Sequence, residues 1–154
     1  MNRVAIGPIA ATAAVVLFAC DKPTIEPPSI HWGVQECASC SMSIVDEKAA
    51  CALVRIAADG RLESLAFDDI NCLVEIMDES PAPEWTVFVR DHSAPKWFDA
   101  RTGSFVRSPK ISTPMASGVA SFPTPDGASS AGNGVPMDFA ATCASIRSRR
   151  TVRE

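Results

Sequence analysis

Histidine is almost missing from this chain. Of 154 residues only His31 and His92 carry an imidazole, which excludes a histidine-rich metal site. Positive charge is scarce as well. The formal net charge is −4, and there is no basic face of the kind a nucleic-acid partner needs. The one local cluster, Arg147, Arg149, Arg150 and Arg153, reads as a solvated tail. No Ser-His-Asp, phosphate-loop or dinucleotide signature is present, so the chain is read as a binding module and not as an enzyme. There is no second CxxC and no downstream histidine pair to complete a zinc site. The apolar run at the start is too short to span a bilayer, which takes about 20 residues.

That run has a different use. Residues 1–19 read as a secretory signal, with Arg3 as the positive region and Ala10 to Ala19 as the apolar one. Leu17-Phe18-Ala19-Cys20 resembles a lipoprotein box, which makes Cys20 the acylated N-terminus of a mature chain. Several acyl chains would anchor it stably to a membrane. Residues 20–35 then form the anchor and a tether kept extended by Pro23, Pro27 and Pro28. The rest, 36–154, is one domain. The location this implies is periplasmic, held to a membrane by lipid.

The first stretch of that domain is Cys37-Ala38-Ser39-Cys40-Ser41-Met42. Three soft sulfur donors lie within it. Thiolates and thioethers select Cu(I) over hard cations, because soft ligands hold polarisable ions best. A lone CxxC has three readings: a metal site, a redox disulfide or a structural crosslink. Met42 favours the metal, since an extended backbone would turn Cys40 and Met42 to one side. Met115 is a further soft donor, in Thr113-Pro114-Met115-Ala116-Ser117-Gly118. Methionine is usually a core residue, but Pro114 and Gly118 place this one in a loop. Cys51, at the start of a strand, reads as core or disulfide, and Cys143 as core. Cys72 neighbours the apolar stripe of a helix, so it reads as core with a ligand role open. Five cysteines follow Cys20, which leaves at least one thiol unpaired by internal bridges. His92 reads as an exposed turn residue, and Asp68-Asp69 as a helix cap rather than an acid–base pair.

The pattern predicts an α+β domain. Ala52, Val54 and Ile56 alternate, Asp59-Gly60 makes a turn, and Arg61 to Phe67 returns. Asp68 then caps a helix from Asp69 to Glu79, with Ile70, Leu73, Val74 and Met77 on one stripe. Trp85, Val87 and Val89 alternate as a third strand. Trp97 to Ala100 and Ser104 to Val106 suggest a second hairpin. Gly118 to Phe122 is a short strand, and Pro123 to Pro136 a mobile loop. Asp138 caps a final helix with Phe139, Cys143 and Ile146 inward. A last strand has only Thr151 to Glu154 left to it.

In this order the motifs resemble the NosL family, lipoprotein accessory proteins of nitrous-oxide reductase assembly. The resemblance covers roughly Glu36 to Ala120. The family's Cys-Gly-Met element is similar to Cys40-Ser41-Met42, and its Phe-Asp-Asp-Ile-Gly-Cys stretch to Phe67-Asp68-Asp69-Ile70-Asn71-Cys72. Its strand with an acidic end resembles Val87 to Asp91, its Trp-Ile-Asp-Ala element Trp97-Phe98-Asp99-Ala100, and its Pro-Met-Gly element Pro114-Met115-Ala116. The resemblance implies two β-β-α-β units, like the small domains of organomercurial lyase. It also implies a Cu(I) carrier that delivers to nitrous-oxide reductase in the periplasm. By position Cys40, Met42 and Met115 inherit the ligand roles, with Cys37 as a further thiolate. Ser41 and Ala116 each stand where the family has glycine, which would stiffen both loops. The rival reading is a thiol-disulfide protein cycling Cys37 and Cys40; a third is a lipoprotein whose cysteines only staple the fold.

Overall fold

The computed structural model describes residues 24–81, 84–131 and 134–151. The leader, Cys20, the start of the tether and Arg153 lie outside the described residues.

The first hairpin forms as its alternation predicts, from β1 (Cys51–Ile56) and β2 (Leu62–Phe67). At the turn the Asp59 carboxylate accepts the Arg61 N–H at 3.0 Å, and Gly60 takes a φ of +81°. β1 is central: β2 lies on one side of it and β3 (Thr86–Arg90) on the other, and β4 (Trp97–Asp99) follows β3, giving the order β2-β1-β3-β4. Every pairing is antiparallel. That central place explains why Cys51 to Val54 are buried on both faces.

Helix α1 (Ile70–Glu79) covers the sheet with Ile70, Leu73 and Val74, and Met77 is half-buried beside them. Its cap is Asp69, whose carboxylate accepts the Asn71 N–H at 2.9 Å. The cap is therefore one position later than the expected Asp68. Both residue types can cap, and the sequence alone does not separate neighbours.

The second hairpin does not form as expected. β4 stays in the first sheet. The chain then makes a 3-10 turn over Ala100–Thr102, capped by Asp99, which accepts the Arg101 N–H at 2.9 Å and pairs with its guanidinium at 2.6 Å. It leaves as β5 (Ser104–Arg107), which pairs with β6 (Val119–Phe122) in a separate two-stranded sheet. Gly103 permits this change of sheet, since a Cβ there would stand 2.5 Å from the Phe98 ring.

The stretch read as a mobile loop contains a helix. Thr124 caps α2 (Pro125–Ser130) by accepting the Gly127 N–H at 3.2 Å, and Pro125 occupies the first turn. Ala128 packs into a small core with Val106, Ala120 and Phe122. Beyond it Met137 bridges the free edge of β5, exchanging two 2.8 Å hydrogen bonds with Phe105.

The second unit thus repeats the order of the first. Two strands lead into a helix, and a third segment returns to the far edge of the first strand. Here that third strand has shrunk to one residue, Met137, and it does not lie at Thr151 to Glu154. Instead α3 (Phe139–Thr151) continues to Thr151, and residues 152–154 lie outside the described residues. Asp138 caps α3 as expected, accepting the Ala141 N–H at 2.7 Å, and Cys143 and Ile146 are buried. The class is α+β, with two antiparallel sheets and three α-helices among the described residues. One core joins the two units, from Leu53 and Leu73 to Phe105 and Ile146.

The basic end of α3 is not a solvated tail. Arg147 pairs with Asp78 of α1 at 2.6 Å, and Arg150 donates to the Asn71 carbonyl at 2.7 Å. The cluster docks one helix on the other.

Candidate metal centre

The CxxC stretch is the tip of a small loop. Glu36 and Ser43 form an antiparallel bridge at its base. Inside it the Cys37 N–H donates to Met42 O at 2.8 Å, and the Ser41 N–H to Cys37 O at 3.0 Å. The Ala38 N–H reaches the carbonyl of Ala66 near the end of β2 at 2.9 Å, which docks the tip on the sheet. Arg90 steadies the base of the loop. Its guanidinium lies 5.2 Å from the Trp32 ring and 5.0 Å from the Trp97 ring, and 3.3 Å from Glu47.

Ser41 adopts a φ of +60°. The backbone therefore turns at this point, and the extended geometry that would aim Cys40 and Met42 to one side is not present. The turn has its own use. It aims the N–H groups of Ser39 and Cys40 at the Cys37 sulfur, where the Asp68 N–H also points, and it aims the Met42 N–H at the Cys40 sulfur. Such donors stabilise thiolates. The Met42 side chain is 54% exposed.

Two more residues join the CxxC pair. The sulfurs of Cys37, Cys40 and Cys72 and a carboxylate oxygen of Asp68 all lie within 4.8 Å of one another. Asp68 comes from the junction of β2 and α1, and Cys72 from the first turn of α1. Cys37, Asp68 and Cys72 are buried and Cys40 is half-exposed. The Cys40 sulfur is 3.8 Å from both Asp68 oxygens. The sequence pattern assigned Asp68 to capping and Cys72 to the core with a ligand role left open. The local signal was proximity alone: Asp68 and Cys72 flank the start of α1, one on either side of its Asp69 cap.

Four acidic groups share this small space. The Cys72 thiol donates to Cys37, which with the backbone N–H groups lowers Cys37 to about 4 against the opposing effect of burial. Cys72 is pushed up, because its proton is held in that same bond and because it is buried. Cys40 is raised by burial first and then by the charge on Cys37. Asp68 is raised to about 6, again by burial first and then by Cys37. One thiolate forms easily here and each further negative charge is resisted. A cation would remove that resistance, and the donor set of three sulfurs and one oxygen selects a soft or borderline ion.

Met115 approaches from the second unit. Its N–H donates to Asp69 Oδ2 at 3.0 Å, the Ser117 N–H reaches the same oxygen at 3.4 Å, and the Asn71 side chain donates to the Met115 carbonyl at 3.0 Å. The loop 113–118 is thus tied to the start of α1. Ala116 takes a φ of +54° within it. Met115 and Cys72 line one cavity of about 210 Å3, and Met42 is not part of its wall. Cys51 and Cys143 are buried outside the cluster, with thiols pushed up by burial. All five described cysteines are free. His92 is half-buried rather than exposed, edge-on to Phe122 with ring centres 5.9 Å apart, and burial lowers its pKa.

No family model matches the sequence, and no curated protein matches it either. Among solved structures, the crystal structure of the copper chaperone NosL from Shewanella denitrificans is similar, with a TM-score of 0.60. The identity is 17%, and the match covers 76% of this chain and 95% of that one. At that identity the likeness is one of fold.

Proposed function

We propose that this chain is an exported, lipid-anchored carrier of Cu(I), which hands its ion to a cuproenzyme such as nitrous-oxide reductase. The observation that carries the reading is the convergence of three thiols and one carboxylate within 4.8 Å, with Cys40 half-exposed. The fold shared with a copper chaperone and the resemblance of the Cys40-Ser41-Met42 and Pro114-Met115-Ala116 stretches to the NosL family both support it.

In this reading copper is the cargo. Cys37 supplies a ready thiolate, and Cys40 the sulfur that an exchange partner can reach. Met42 stands at the surface and Met115 on the cavity wall, so either thioether can take over a soft ion as a thiolate lets go. Cys72 and Asp68 extend the donor set from within. Binding through Cys40 or Cys72 must expel their protons. Cys20 would hold the protein at a membrane on the periplasmic side, and the tether would set its reach.

The test is an anaerobic titration of the reduced mature chain with Cu(I) against a chromogenic cuprous chelator. Tight one-to-one binding, lost in Cys40→Ser and weakened in Met115→Leu, is the expected result. Failure to compete with the chelator would sink the proposal.

One observation favours a second reading. Cys37, held near 4 by the Cys72 thiol, has the character of a redox nucleophile. A thiol-disulfide protein would turn over a protein disulfide, and the copper carrier would not.

A further inference from the structure

The cavity behind Cys72 has two unlike walls. One is soft, lined by Cys72 and Met115. The other is cationic: Arg107, Arg149 and Arg150, with Glu75 as the only carboxylate in the lining. Three guanidiniums against one carboxylate is a local excess of positive charge in a chain whose net charge is −4.

The partners of these groups sharpen the picture. Glu75 is engaged with the Ser39 hydroxyl at 2.7 Å. Arg150 is held by Asp78 and the Asn71 carbonyl. Arg107 is fixed by the Ser117 carbonyl at 3.0 Å and the Ser145 hydroxyl at 2.7 Å, both neutral oxygens. Arg149 makes no hydrogen bond or ion pair among the described residues. Burial first, and then the nearby Arg149 guanidinium, disfavour the charge on Arg107, with the Asp69 carboxylate opposing them. Two like charges are thus held together beside a void with no carboxylate bonded between them. Such an arrangement is relieved by an anion.

The volume bounds what enters. About 210 Å3 corresponds to roughly seven waters at ~30 Å3 each, enough for a molecule of the size of a simple thiol acid.

We propose that this cavity binds a small anionic thiol, with its carboxylate on Arg107 and Arg149 and its sulfur toward Cys72 and Met115. The ligand class follows from the two walls: an anion to meet the guanidiniums and a soft donor to share a soft ion. This deepens and rests on the copper-carrier reading, since the sulfur end has a purpose only where a soft metal passes. The ligand would be the form in which Cu(I) arrives, or the co-ligand that helps it leave.

The experiment uses the purified, reduced mature chain and three probes by calorimetry. Mercaptosuccinate carries the thiol and the charge, succinate the charge alone, and 2-mercaptoethanol the thiol alone. The expected result is one-to-one mercaptosuccinate binding, about tenfold or more tighter than 2-mercaptoethanol, with succinate between. Arg149→Gln, which breaks no bond within the fold, should remove most of that advantage and leave the 2-mercaptoethanol response unchanged. Equal affinity for the charged and uncharged thiol, or an advantage that survives both Arg149→Gln and Arg107→Gln, overturns the proposal. The Cu(I) titration of the unsubstituted protein, set beside its own three probe titrations, separates the two ideas. Tight Cu(I) binding with no preference for the charged thiol sinks the cavity proposal alone. A clear preference for the charged thiol with no Cu(I) binding sinks the carrier reading alone.

Discussion

Asp68→Asn is the substitution that most sharply separates a metal-binding carboxylate from a structural one. Asparagine keeps the volume and one acceptor oxygen, and removes the charge. In the fold the Asp68 carboxyl is raised from 3.8 to about 6, by burial first and the Cys37 thiolate second. At about 1.4 kcal/mol per unit that shift is a penalty of roughly 3 kcal/mol on the ionised, metal-free protein. Below pH 3.8 the carboxyl is neutral in both folded and unfolded chains and costs nothing. As pH rises the unfolded chain ionises first, so the penalty grows until the pH passes about 6. Part of it depends on Cys37 being charged, which leaves about 1–3 kcal/mol to be recovered at pH 7. Metal-free Asp68→Asn should therefore melt several degrees above the wild type at pH 7, at ~4 °C per kcal/mol. The two curves should converge near pH 4. Cu(I) affinity should move the other way, weaker by about 10- to 100-fold. Differential scanning fluorimetry over pH and chelator competition read the two effects. A variant that is less stable than wild type at pH 7, with unchanged Cu(I) affinity, would show instead that the carboxylate serves only to hold Cys40.

Three further outcomes are expected. Cu(I) affinity should rise with pH, because Cys37 is already ionised at pH 7 while Cys40 and Cys72 must each give up a proton; an indicator dye should register about one proton per such thiolate engaged, and an affinity flat across neutral pH would contradict this. Ser41→Gly and Ala116→Gly should each stabilise the protein by about 1 kcal/mol in urea unfolding, since both positions hold left-handed backbone at φ +60° and +54° that glycine adopts without strain; a loss of stability in both would count against the reading. Gly118→Ala should cost about 2–3 kcal/mol, since φ is +64° and a Cβ would meet the Ser108 carbonyl at 2.8 Å; a change below about 0.5 kcal/mol would show that this turn gives way.

The first unit was legible in the sequence because its signals are local. Ala52, Val54 and Ile56 alternate, Asp59-Gly60 turns, and Ile70, Leu73 and Val74 recur at helical spacing. The second unit was harder. Arg101-Thr102-Gly103 has the composition of a hairpin turn, yet Asp99 caps a 3-10 turn there and sends the strands into different sheets. The helix at Pro125–Ser130 hid behind glycine, serine and proline, although Thr124-Pro125 is itself a start signal. A one-residue strand at Met137 has no periodicity to detect. At the site, Cys37 and Cys40 announced themselves by spacing. Asp68 and Cys72 did not, because an aspartate before a helix and a cysteine within one each have an adequate local explanation. Only the docking of the loop tip on β2, a contact far apart in sequence, brings them to the same sulfurs.

Asp69 divides its two oxygens between unlike tasks. Oδ1 starts α1, and Oδ2 holds the Met115 and Ser117 amides of the other unit. Glutamate would carry both oxygens too far, and asparagine would keep one and offer an amide to the other. The helix start and the remote loop are thus under a single lock. A descendant of this protein that changes position 69 must rebuild residues 113–118 in the same step of its history, and one that redesigns that loop inherits the aspartate as a fixed boundary condition.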